Sequence, residues 1–227
     1  PPVRLIYSFF LDLLKERGLS MERIDCITSK DPLESGFGGS DKDTFKHNST
    51  SGLKVNKKLG KIKGIDVELD DRFLDADFKV IISPVMPHYI WGYLSSYSAV
   101  FPGISSLKTV ERTLSKYARY QELGPNEGNK LLRFAEEVVS KAGIDLSINV
   151  VLNHVGEVIG LSVGSVEESF SQAVSLYKEV YLTEMEGEYD AVLASVGGDP
   201  YDRRLDGIYQ SLMNMAGIVG KDGSIGL

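Results

Sequence analysis

The sequence of 227 residues contains very few of the residues that build metal centres and covalent cross-links. It has one cysteine, Cys26, and three histidines, His47, His88 and His154. A single cysteine excludes an internal disulfide and any zinc or iron–sulfur site built from cysteines, and it favours a cytoplasmic location. No two histidines have the His-x-x-x-His spacing of a metal site on a helix, so the sequence predicts no metal. His47, in a polar segment, and His154, in a predicted turn, are interpreted as surface residues.

The chain also lacks an excess of basic charge and any long apolar run. Its 25 basic and 32 acidic residues give a formal net charge of −7, which argues against a partner such as nucleic acid or an anionic membrane. No apolar run approaches the ~20 residues of a membrane span, and no signal peptide is recognisable. Because the sequence starts at Pro1 and stops at Leu227, where a strand is predicted to begin, we expect a piece of a longer chain.

Hydrophobic residues make up 42% of the chain and charged residues 25%, which is typical of globular domains. Apolar periodicity and end signals predict helices at residues 3–17 and 127–142, the second with Asn126 as its cap and Gly143 at its end. Two more helices are predicted to start at a capping box at 165–168 and at about residue 201. Strands are predicted at residues 24–28, 61–69, 78–83, 146–152, 157–163 and 190–196. Residues 31–60 and 84–103 are predicted to be loops, and 221–223 a turn.

Strands that alternate with helices predict an α/β fold. A polar joint near Glu184 divides the pattern, so we predict two α/β domains with a cleft between them. The first would span residues 1–184, truncated at its start, and the second would begin at 185–227 and be truncated at its end. In this arrangement the strands at 78–83 and 190–196 belong to different sheets.

The segment 86–103 is the strongest candidate for a functional site. It follows a predicted apolar strand, where open α/β sheets bind their ligands, and it contains His88, whose side chain suits proton transfer near neutral pH. It also holds the only tryptophan, together with several tyrosines and serines. The alternative is that these aromatic residues only fill a gap between domains, and the sequence leaves both possibilities open.

Two glycine-rich segments are weaker candidates. Residues 36–39 neither follow a convincing strand nor open a helix, so they make a poor phosphate cradle. Gly197 and Gly198 do lie between a predicted strand and a helix, although a tight turn explains them equally well. Asp202, near the start of that helix, suits the helix N-terminus as a capping acid.

Three stretches resemble the nickel-dependent lactate racemase family. Pro87-His88-Tyr89, Gly92-Tyr93, Ser95 and Pro102-Gly103 resemble its signature P-H-(Y/F)-x-x-G-(F/Y)-S-G-G-x-K-x-x-L-P-G without a gap. Residues 148–153 with Gly156-Glu157 resemble its I-N-V-V-L-N-x-x-G-E segment, and residues 194–198 with Pro200 and Asp202 resemble A-S-x-G-G-x-P-x-D. The resemblance covers nearly the whole chain.

The resemblance implies two α/β domains with an active site between them and racemisation of a 2-hydroxy acid. The family uses a nickel-pincer nucleotide that is tethered to a lysine, with nickel bound by a histidine and two further histidines that exchange the hydroxyl proton. His88 falls on one of these acid–base histidines, so it is the candidate catalytic residue. Ser98 stands in place of the tethering lysine and Leu114 in place of the nickel histidine, while Gln210 replaces a lysine of the second domain.

These replacements predict that the family chemistry is altered or lost. The alternative is a paralogue without catalysis that binds a small molecule or forms a complex. In either case we expect a small hydroxy acid or related anion as the ligand; the oligomeric state stays open. The residues predicted to line the ligand pocket besides His88 are Tyr93, Ser95, Ser96, Tyr97, Ser98, Asn153, Gly197, Gly198 and Asp202.

Overall fold

The computed structural model describes residues 2–28, 44–46, 56–117, 128–198, 201–203 and 205–227. Most of the predicted loop at 31–60, including the glycine-rich segment and His47, lies outside these ranges, as does Asn126. The fold is a mixed α/β arrangement, which confirms the predicted class. Within the described residues, no helix is long and apolar enough to cross a membrane.

The described strands are short and form several small sheets. In chain order they are β1 (Cys26–Thr28), β2 (Thr44–Lys46), β3 (Asn56–Ile62), β4 (Ile65–Asp70), β5 (Val80–Pro84), β6 (Met86–His88), β7 (Gly92–Leu94), β8 (Leu146–Leu152), β9 (Val158–Gly164), β10 (Tyr189–Leu193) and β11 (Val219–Gly226). The described α-helices are α1 (Pro2–Glu16), α2 (Asp71–Asp75), α3 (Ser96–Val100), α4 (Leu107–Tyr117), α5 (Lys130–Ala142), α6 (Val166–Tyr181) and α7 (Leu205–Met215).

The central sheet has the order β5-β8-β9, with β5 and β8 parallel and β8 and β9 antiparallel. The hairpin predicted for β8 and β9 is therefore confirmed. Helix α6 packs against β8 and β9 at close range, because Gly160 has no side chain: a Cβ there would lie 2.0 Å from Leu176 Cδ2. On the inner face of α6, Ala173 is buried, and Phe170, Val174 and Tyr177 pack against the core.

The main hydrophobic core lies between the β3–β4 hairpin, α3 and α5. Its completely or almost completely buried side chains include Val67, Leu69, Phe101, Phe134 and Val138. The predicted helix at 127–142 is confirmed as α5, but its cap is Asn129 and not Asn126. The Asn129 side chain accepts hydrogen bonds from the next two helical amides, while Gly143, with a φ of 69°, ends the helix as predicted.

The prediction of an irregular loop at 84–103 was wrong. This segment forms the antiparallel β6–β7 hairpin and the short helix α3. Helix α3 packs against α5, β5 and β7, so tertiary contacts impose regular structure on a sequence with no clear periodicity. The long loop predicted over residues 31–60 likewise contains the described strand β2 and the start of β3.

Strand β10 pairs in parallel with β11, and α7 connects them in a strand–helix–strand unit. The sheet of β10 and β11 is separate from the central sheet, so the strands predicted at 78–83 and 190–196 lie in different sheets as expected. The turn predicted at 221–223 was wrong, because these residues belong to β11, where the pairing register shifts. The division into domains at residue 184 stays a prediction.

Candidate functional site around His88

His88 is the last residue of β6, and its ring is held from one side by the following turn. Its Nδ1 accepts hydrogen bonds from the amide of Ile90, at 3.0 Å, and from the amide of Trp91, at 3.4 Å. The neighbouring Tyr89 ring stacks on the imidazole with 4.9 Å between centroids. Since Nδ1 accepts from two N–H groups, the neutral ring carries its proton on Nε2. His88 is half-buried, and Nε2 is the donor of its neutral ring.

The turn that follows His88 is held from both sides by amide side chains. Asn129, at the start of α5, donates from Nδ2 to the carbonyl oxygen of Ile90 at 2.9 Å. Gln210, on α7, accepts from the amide of Tyr89 at 3.0 Å, and the rings of Tyr89 and Tyr209 lie 5.2 Å apart. The site therefore brings together the β6–β7 hairpin and helix α7, elements from either side of the predicted boundary.

A buried polar cluster lies behind this hairpin. It consists of Ser96 at the start of α3, Ser147 and Asn149 on β8, and Ser169 on α6, and all four residues are fully buried. Asn149 Oδ1 accepts from the amide and the hydroxyl of Ser96 at 3.2 and 3.0 Å. Asn149 Nδ2 donates to the hydroxyls of Ser147 and Ser169 at 3.1 and 2.9 Å. This Ser/Asn cluster joins α3, the central sheet and α6.

The remaining predicted residues of the hairpin region are also internal. The Ser98 hydroxyl accepts from the amide of Ser95 at 2.8 Å and donates to the Ser95 carbonyl at 2.9 Å, which fixes the first turn of α3. The rings of Tyr93 and Tyr97 pack edge-on against Phe170, at 5.9 and 5.1 Å. Burial raises the pKa of both tyrosines, that of Tyr97 to about 12 with a further contribution from nearby carboxylates.

The other predicted pocket residues lie elsewhere. Asn153 shapes the β8–β9 turn, where its side-chain oxygen accepts from the amides of Val155 and Glu157. Gly197, Gly198 and Asp202 are exposed beyond the end of β10. There, Gly198 and Asp202 line an open cavity of about 520 Å³, whose other lining residues include Leu193, Ser195 and Leu227. This cavity does not include His88.

Sequence reasoning missed the residues that hold the site together: Asn129, Asn149, Ser147 and Ser169. Asn149 falls within a stretch that carried the family resemblance, but its polar side chain stands in an apolar strand pattern, and that mismatch was the available signal. Asn129 gave no such signal, because Asn126 fits a helix cap equally well.

Comparison with known proteins agrees with this architecture. A family model described as the lactate racemase N-terminal domain matches residues 40–120. The lactate racemase of Lactiplantibacillus plantarum is 27% identical over 165 residues, which is 70% of this chain and 37% of that protein. The lactate racemase apoprotein of Thermoanaerobacterium thermosaccharolyticum superposes with a TM-score of 0.85 at 21% identity, over 99% of this chain and 57% of that one.

The chain is similar to the lactate racemases in sequence and in fold, as the resemblance of its motifs predicts. A Thermotoga maritima protein has a similar fold, with a TM-score of 0.61 at 18% identity over 84% of this chain and 53% of that protein. This lactate racemase-like chain spans 37% and 57% of the length of the two lactate racemases that it matches.

The nickel-pincer nucleotide that the family resemblance implies does not fit the residues of this chain. At the tether position, the Ser98 hydroxyl is occupied within α3 and nine-tenths buried. Ser95 and Ser96 follow Leu94 where the signature has Ser-Gly-Gly, and both are completely buried. Leu114, on α4, has no atom that binds nickel. Among the described residues, no group of three histidine, cysteine or acidic side chains could hold a metal ion.

Proposed function

We propose that this lactate racemase-like protein binds a small 2-hydroxy acid or a related carboxylate beside His88, without a covalently attached nickel-pincer nucleotide. The proposal is supported chiefly by one observation: the position expected for the tether is a serine whose hydroxyl both accepts and donates hydrogen bonds within α3. A lysine-linked nucleotide needs a side chain that reaches out of the fold, and Ser98 is directed inward.

His88 supplies a suitable group for such a ligand. With Nδ1 occupied by the amides of Ile90 and Trp91, its Nε2–H is a donor that matches a carboxylate or hydroxyl oxygen. A general base at Nε2 needs the opposite arrangement, with a lone pair at Nε2 and the proton at Nδ1. That tautomer is disfavoured here, because a proton at Nδ1 would face two backbone N–H groups. The geometry of the free protein therefore favours binding over proton abstraction, and the family chemistry is altered or lost.

Replacing His88 with asparagine should separate binding from folding. The asparagine side-chain oxygen can take the place of Nδ1 as the acceptor for Ile90, while the Nε2 donor is lost. We expect H88N to lose about 1 kcal/mol of stability or less and to lose the ligand response. The measurement is thermal unfolding with D- and L-lactate, since a ligand at about a hundred times Kd adds about 2.7 kcal/mol of stability.

Propionate, which lacks the hydroxyl of lactate, is the matched control ligand. H88A is the control variant: it strands the amides of Ile90 and Trp91 and should cost the ligand-free protein about 1–3 kcal/mol. If H88N responds to lactate as strongly as the wild type does, His88 is not part of the binding site. If the wild type shows no shift with any small hydroxy acid, the binding proposal itself is wrong.

The absence of the cofactor is a second expected result. The purified full-length protein should have the intact mass of its bare polypeptide and far less than one nickel per chain, because serine and leucine replace the tether and the ligand at positions 98 and 114. Mass spectrometry and elemental analysis of native protein check this. About one nickel per chain, or an added mass the size of a nucleotide, would restore the racemase assignment.

A complex-forming paralogue is the alternative function, and one observation favours it. Leu5 and Phe9 lie one helical turn apart on α1 and are 73% and 71% exposed. Such an apolar pair is typical of a surface that another protein covers. A protein without any lactate response whose mass in solution exceeds one chain would support this alternative.

A further inference from the structure

The side chain of Asn129 connects helix α5 to the turn that holds His88. It is 2% exposed, and both halves of its amide are used. Its oxygen accepts from the amides of Leu131 and Leu132, at 2.9 and 3.0 Å, which caps the helix. Its nitrogen donates to the carbonyl of Ile90 at 2.9 Å. These partners fix the orientation of the amide, because only its oxygen can accept from N–H groups and only its nitrogen can donate to a carbonyl.

The two peptide groups that flank Ile90 are therefore held by different partners. Its carbonyl accepts from Asn129, and its amide donates to Nδ1 of His88. On the other side, Gln210 accepts from the amide of Tyr89 and is itself oriented by a 2.8 Å hydrogen bond to Asn214. The turn is held between α5 and α7. Of these two contacts, the one from Asn129 is made to Ile90, one of the two residues whose amides donate to the imidazole.

We propose that Asn129 is a positioning residue for His88: by holding the Ile90 carbonyl, it fixes the peptide group that carries the Trp91 N–H and the backbone of Ile90 next to it. Both N–H groups then stay directed at Nδ1, which keeps the neutral imidazole in the Nε2–H form. This inference rests on the proposed function only in assuming that His88 binds the ligand. The tautomer itself is a property of the ligand-free protein and can be measured without any ligand.

Three substitutions separate this role from capping. In N129D and N129S an oxygen still caps α5, since aspartate and serine are good N-cap residues. The aspartate has no donor and places a second oxygen against the Ile90 carbonyl, while the serine side chain is too short to reach it. N129A loses both the cap and the tether. As a control for the loss of a cap alone, S165A removes the residue that accepts from the amide of Glu168 at the start of α6.

The measurement is the pair of ¹⁵N chemical shifts of the His88 ring, recorded without ligand about two pH units above the ordinary pKa of histidine. The His88 signals are those that disappear in H88N. In wild type and S165A we expect one well-separated pair, with the protonated nitrogen assigned to Nε2. In N129D, N129S and N129A the two shifts should move toward each other, which reports a mixture of tautomers.

An unchanged pair of shifts in N129D and N129S would overturn the proposal, because the tautomer would then not depend on the tether. A change confined to N129A would also overturn it and leave Asn129 as a helix cap only. A wild-type ring protonated at Nδ1 would contradict the starting geometry. If N129D does not fold, N129S carries the test. Lactate binding is measured separately, so a failure of the binding proposal leaves this result readable.

Discussion

Replacement of Asn149 by leucine is expected to lower the free energy of unfolding by about 3 kcal/mol, although the two side chains are similar in size. Asn149 is fully buried and makes four hydrogen bonds, through its oxygen to Ser96 and through its nitrogen to Ser147 and Ser169. Leucine removes the acceptor of the Ser96 amide in particular, which donates to Asn149 Oδ1 in a fully buried position. Urea unfolding of the purified variant measures the loss.

The matched control is S162A. Ser162 also lies on the central sheet and is 7% exposed, but its hydroxyl has a single partner, the exposed Gln172. We expect S162A to cost about 1 kcal/mol or less. If N149L is no less stable than S162A, the Ser/Asn cluster does not stabilise the fold, and the attachment of α3 to the central sheet depends on apolar packing alone.

The part of the fold that could be predicted is the part with local signals. Helix α6 was predicted because Ser165 and Glu168 have the spacing of a capping box, which acts within a single turn. In the structure the Ser165 hydroxyl accepts from the Glu168 amide and donates to the Glu168 carboxylate. The β8–β9 hairpin was predicted because its alternation and its turn lie within a short stretch. Gly143 ends α5 through its own positive φ. Each of these features depends on residues a few positions apart in the sequence.

The segment from 84 to 103 could not be predicted, because its partners are distant in the chain. Ser96 is held by Asn149, 53 positions away, and Tyr89 by Gln210, 121 positions away. The same separation in sequence explains why the candidate site could be predicted only in part. His88 could be chosen as a candidate from a motif, but the side chains that hold its turn come from α5 and α7, whose placement beside the hairpin is a product of tertiary folding.

The largest effect is expected when Ser98 is replaced by lysine, the residue that the family resemblance places there. Ser98 is 9% exposed, and its hydroxyl both accepts from the Ser95 amide and donates to the Ser95 carbonyl. Lysine removes this pair of hydrogen bonds and places an ammonium group on a short helix whose residues Ser96, Tyr97 and Val100 are buried as well. Burying an unpaired charge costs several kcal/mol, so S98K should be severely destabilised.

Two control variants, S98A and S140K, separate the loss of the hydrogen bonds from the burial of the lysine charge. S98A removes only the hydrogen bonds and should cost about 1–2 kcal/mol. S140K places the same lysine at an exposed serine of α5 and should change stability by less than about 0.5 kcal/mol. Urea unfolding ranks the three variants by stability, and S98A keeps the test valid if S98K does not fold.

One outcome would contradict this expectation. S98K would be as stable as wild type and would carry a nucleotide-sized added mass when it is produced in a host that makes the cofactor. That result would show that the site still accepts the family cofactor. In that case the replacement of lysine by serine would be the only change that prevents attachment of the cofactor. We expect the opposite result, because Ser95, Ser96 and Ser98 are all buried and the tether region is therefore part of the protein interior.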